Sequence, residues 1–195
     1  HLYIANAEHL PAKPALGDNV VVICVGKGTH LTYYKKHCTV IQITKNVNFI
    51  EVAQYVHSIY DRYDEWNDRL IDLIRNEEDP QELLNVSLPV FGRLLSVMDR
   101  DFNYLFTASD PEGNYANEWD TDLSSVPQET FGKYLATQTF HTENHEPFHI
   151  DFGDSSTLCV NLFDLQDTYM GCLMVDRPFQ KYNLRDDSLA MYLGK

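Results

Sequence analysis

The sequence predicts a mixed fold: a small parallel α/β layer, a long helix, and then an antiparallel α+β domain. Three observations carry that expectation. Short unbroken apolar runs lie near the start, the spacing turns helical at Asn48, and strand-like runs separated by turn residues follow Pro80.

Residues 1–47 read as the α/β layer. Asp18-Asn-Val-Val-Val-Ile-Cys-Val-Gly26 is a continuous apolar run closed by glycine, the pattern of a strand buried on both faces. A second run, Cys38-Thr-Val-Ile-Gln-Ile-Thr44, follows a stretch with room for one short helix, Thr29 to His37. Strand, short helix and strand make a parallel unit, and Leu2-Tyr-Ile-Ala5 adds a further strand.

Residues 48–79 read as one long connecting helix. Phe49, Val52, Val56, Ile59, Tyr63, Trp66, Leu70 and Leu73 alternate spacings of three and four, an unbroken a/d heptad seam. Asn48 is a candidate N-cap with Glu51 three residues on, and Asp79-Pro80 offers a stop, for a length of roughly 40 Å. The eight seam residues are the candidate dimerisation residues of an expected homodimer; the competing reading is a wide apolar stripe packed across the chain's own domains. The flanking e and g positions, Ala53, Tyr55, Tyr60, Arg62, Asn67 and Arg69, offer no complementary ion pairs, and Tyr63 and Trp66 are bulky for a two-stranded seam.

Residues 80–195 read as a sensor-type domain. Gln81 to Phe91 is a helix ended by Gly92, and Arg93–Asp99 faces Phe102–Ala108 across a polar turn. A turn-rich loop from Ser109 to about Asp122 leads to a helix opened by Ser124 and ending near Phe140. After a strand at Pro147–Phe152, the runs Thr157–Phe163 and Tyr169–Val175 form a hairpin around Asp164-Leu-Gln-Asp167, and a last helix follows. Antiparallel strands interrupted by a loop and helix, with helices at both ends, describe a sheet of the PAS or GAF kind.

Tyr104, Phe106, Trp119, Tyr134, Phe148, Cys159, Asn161 and Met174 are the candidate ligand-binding residues. They combine aromatic walls with a few polar atoms, the usual lining of a small-molecule cavity. The competing reading of each is ordinary core.

No catalytic group, metal or cofactor is expected. Gly26-Lys-Gly28-Thr29 sits between a strand and a helix, but GxxxxGK[ST] needs four residues between its glycines, and Leu31 stands where GxGxxG needs its third. His141, His145 and His149 recur every four residues, yet Pro147 breaks the helix that would align them on a metal. Acid pairs such as Asp186-Asp187 read as solvated caps, and no GxSxG or HExxH series appears. Cys24, Cys38, Cys159 and Cys172 lie far apart with no CxxC pair, as expected of reduced, mostly buried thiols.

The formal net charge of −14, from 29 acidic and 15 basic side chains, repels phosphate backbones, so this region is expected to touch neither DNA nor an anionic membrane directly. No run approaches the roughly 18 apolar residues of a spanning helix, and the start has no basic and apolar leader, so a cytoplasmic location is expected. His1 at the start and a helix still running at Asp187–Lys195 read as the ends of a piece of a longer protein.

Ser58-Ile-Tyr-Asp-Arg-Tyr-Asp-Glu-Trp66, Gln81-Glu-Leu-Leu84 and Leu88-Pro-Val-Phe-Gly92, set after a small α/β unit, resemble the N-terminal sensor region of regulators of the purine catabolism regulator (PucR)-like family. The resemblance runs from about Leu2 to the last helix. It implies a GAF-like, non-enzymatic domain of a bacterial transcription regulator, with a small-molecule effector, and with DNA bound only through a helix-turn-helix domain that lies further on. It carries over no ligand motif residue by residue. The alternatives are a ligand-free dimerisation or adaptor module, which the seam would suit, and a small nucleotide-using enzyme, which the failed glycine pattern opposes.

Overall fold

A computed structural model describes residues 1–101, 103–108, 143–152, 155–178 and 184–195, with only the backbone described at 151, 152, 155, 156, 176–178, 184 and 185. The chain divides into two units, His1–Asp64 and Glu65–Lys195.

The first unit holds a parallel sheet of order β1-β2-β3, from β1 (Leu2–Asn6), β2 (Val21–Val25) and β3 (Thr39–Ile43). Val22, Ile23, Cys24 and Val25 are buried in succession, as a central parallel strand covered on both faces requires. The helix α1 (Leu31–His37) packs Leu31 and Tyr34 into a core with Ala7, Leu10, Val20, Val22 and Cys24. Both glycines of the β2–α1 turn have structural causes. Gly26 has a φ of +89°, and a Cβ at Gly28 would run into the Ala7 carbonyl. Gln42 of β3 ties the turn down, donating to the Gly26 carbonyl at 3.0 Å while accepting from Lys35 of α1 at 3.0 Å.

The long helix α2 runs Phe49–Arg75, and the division between the units falls within it. It ends four residues before the expected stop, and Glu77 adopts φ 53°. Asp79 instead begins the next helix, α3 (Pro80–Phe91): its carboxylate accepts from the Gln81 N–H at 2.9 Å, and Pro80 occupies the first turn, where a missing N–H costs nothing. Gly92, at φ 64°, closes α3.

The second unit carries an antiparallel sheet of order β5-β4-β8-β7-β6, from β4 (Leu95–Asp99), β5 (Tyr104–Thr107), β6 (Phe148–Phe152), β7 (Ser155–Phe163) and β8 (Tyr169–Pro178). The helix α4 (Leu184–Leu193) follows. Turn acids organise two of the connections. Asp99 accepts from the N–H groups of Asp101 and Asn103, and Asp164 accepts from those of Gln166 and Thr168. The loop and helix expected between Ser109 and Phe140 lie outside the described residues.

Candidate functional site

The register of the five-stranded sheet sorts its side chains onto two faces of different chemistry. One face carries Leu95 and Val97 of β4, Leu173 and Val175 of β8, and Leu158, Val160 and Leu162 of β7. Its centre is aliphatic, with Asp99, Phe106 and His149 toward its margins, and α4 belongs to this side. Gly194 at the end of α4 stands so close that an added Cβ would lie 3.2 Å from the Leu162 and Val160 side chains. Two polar contacts tie α4 to its surroundings: Asp186, fully buried, lies 3.7 Å from the Arg93 guanidinium, and Asp187 lies 3.6 Å from the His149 imidazole of β6. Trp66 of α2 also packs within this unit. Its indole N–H donates to Ser87 of α3 at 2.9 Å, and its ring stands edge-on to Phe91 and tilted against Tyr192 of α4.

The other face is chemically mixed. Met98, Ile150, Cys159, Cys172 and Met174 form one buried cluster, with Tyr104 and Phe148 packed against it. Cross-strand pairing builds it: Met98 faces Cys172, Cys159 faces Met174 on one side and Phe148 on the other, and Asn161 faces Cys172. Ser96, Thr157 and Asn161 share this face by alternation and are 3, 6 and 5% exposed, so hydroxyls and an amide stand among thioethers, thiols and rings. The Asn161 amide donates to the Asn144 carbonyl at 3.0 Å, which fixes its orientation. Burial, together with the nearby thiols of Cys172 and Cys159, pushes the Tyr169 phenol well above its ordinary range and keeps it neutral.

Of the eight candidate ligand residues, Tyr104, Phe148, Cys159 and Met174 meet in this cluster, and Asn161 shares its face. Phe106 pairs with Val97, which places it with the aliphatic side, whereas Tyr104 pairs with Met98, because the β4–β5 register shifts between Val97 and Met98. Trp119 and Tyr134 lie outside the described residues. Sequence reasoning passed over Met98, Ile150 and Cys172. Cys172 is two residues from Met174 and was recoverable by alternation, whereas Met98 depends on the long-range pairing of β4 with β8.

The eight seam residues of α2 divide in two. Trp66 and Leu70 are buried, while Phe49, Val52, Val56, Ile59, Tyr63 and Leu73 remain half-buried. The histidines part company as well. His145 stacks on Phe163 and pairs with Asp167, His149 pairs with Asp187, and His141 lies outside the described residues. Among the described residues no group of three or more His, Cys, Asp or Glu is placed to hold a metal ion, and no helix is long and apolar enough to cross a membrane. No family model and no curated protein matches the chain.

Proposed function

We propose that this chain is the ligand-sensing region of a bacterial transcription regulator, and that the mixed face of its five-stranded sheet receives a small-molecule effector. The observation that carries this reading is the contrast between the faces. A surface that only fills a core needs volume and shape, which the aliphatic face supplies. Thiols, hydroxyls, a fixed amide and aromatic rims on one buried face supply orientation and discrimination as well.

The route from effector to output runs through helices of the same unit. Trp66 joins α2 to α3 and α4, and Tyr192 of α4 hydrogen-bonds Asn67 of α2. An effector acts on such a unit only through contacts that differ between two arrangements of these helices. The resemblance to PucR-like regulators implies that a helix-turn-helix domain reads that difference. The formal charge of −14 agrees with a region that leaves DNA contact to another domain.

Thermal-shift screening against purines, their breakdown products and small organic acids tests the reading. A compound that prefers the native state raises the melting point. A broad screen without any shift, together with an effector-independent parent regulator, would leave an adaptor role in its place.

A further inference from the structure

Beyond that reading, we propose that the segment Phe49–Tyr63 of α2 pairs, parallel and in register, with the same segment of a second copy of this chain. The seam changes character along one helix. Trp66 and Leu70 are 6 and 5% exposed because they belong to the core of the second unit, whereas Phe49, Val52, Val56, Ile59 and Tyr63 keep part of their surface accessible. Two heptads of a/d apolar residues therefore remain for a partner helix with the same repeat.

The charges around the seam identify that partner. With Phe49 at position a, the six acids of α2, Glu51, Asp61, Asp64, Glu65, Asp68 and Asp72, all fall at b, c or f, and none flanks the seam. Identical acidic helices would repel one another through e and g carboxylates, and this helix has none there. Arg62, at g, lies over the ring of its own Tyr63 at 5.4 Å and sets no charge code for a foreign helix. The rest of the first unit is permissive too: His1–Asp64 holds six Lys and Arg against five Asp and Glu, while Glu65–Lys195 holds nine against 24. Two copies meet through the near-neutral unit without the repulsion that the acidic one would impose.

Tyr55 and Tyr60 set the orientation. They are 69 and 50% exposed and occupy g of one heptad and e of the next. In a parallel, in-register pair each g residue faces the e residue five positions on in the partner, so each Tyr55 meets the partner's Tyr60 on both flanks of Val56 and Ile59. In an antiparallel pair this match is lost.

Sedimentation of the full chain from about 1 to 500 μM should show a reversible monomer–dimer equilibrium. A monomer throughout that range overturns the proposal. The double variant Tyr55→Glu/Tyr60→Glu, whose side chains are exposed and leave the fold intact, should weaken dimerisation by about tenfold or more, while Ile50→Glu, exposed at b, should not change it. Equal effects of the two changes place the interface elsewhere. Under mild oxidation Val56→Cys should give a crosslinked dimer that the parent chain does not. A dimer that forms but resists this crosslink rejects the parallel register.

Discussion

The two faces of the five-stranded sheet are built from alternate residues of the same strands and yet ask different things of their side chains. Leu158, Val160, Leu173 and Val175 offer the helices nothing but hydrocarbon. Cys159, Asn161, Cys172 and Met174, their immediate neighbours, offer polarisable sulfur and an amide. The strand period of two lets one sequence run an aliphatic surface and the proposed recognition surface side by side. Stability should therefore reside mainly on the first face and selectivity on the second.

The largest test of that division is truncation on the aliphatic side. Leu158→Ala removes a side chain with no exposure and should cost about 2–5 kcal/mol in chemical denaturation. Gly171→Ala comes next: its Cβ would run into the Met98 carbonyl on the neighbouring strand, a backbone obstacle that should cost about 1–3 kcal/mol. Ser87→Ala leaves the buried Trp66 indole N–H without its acceptor and should cost about 1–3 kcal/mol, with a change in tryptophan emission as the local readout. On the mixed face, Met174→Leu keeps the volume and should cost under about 1.5 kcal/mol while changing which compounds the protein binds. A large stability loss there, with ligand selectivity untouched, would erase the distinction between the faces.

The smallest expected effect is on pH dependence. Asp99, mainly through Asn103, and Asp164, mainly through the Thr168 N–H, hold their carboxyls below the ordinary range. A carboxylate whose folded pKa is depressed contributes stability above its unfolded value of about 3.9, and that contribution is lost as the pH falls below it. Melting points measured between about pH 5 and pH 3 should fall less steeply in Asp99→Asn than in the parent chain. An unchanged slope would show that other groups carry the acid transition.

Much of this arrangement was legible in the sequence, and the failures have physical causes. The parallel layer was readable because a strand covered on both faces leaves an unbroken apolar run such as Val20–Val25. The hairpin of β7 and β8 was readable because Asp164 supplies its turn. Asp79-Pro80 reads equally as the end of one helix or the start of the next, and only the cap geometry decides. That Phe106 and Tyr104 part to different faces was not legible because a register shift leaves no mark in residue identities. The break in the seam at Trp66 was invisible because a heptad pattern does not say which residues a helix spends on its own unit.

The methionines give the most direct test of the mixed face. Met98 and Met174 lie in its cluster, whereas Met170 is 51% exposed and Met191 lies on α4. With methyl-labelled methionine, titration of a compound that raises the melting point should move the Met98 and Met174 resonances and leave Met170 and Met191 in place. Shifts confined to Met170 or Met191, or none at all while the compound binds, would contradict the assignment of this face as the effector site.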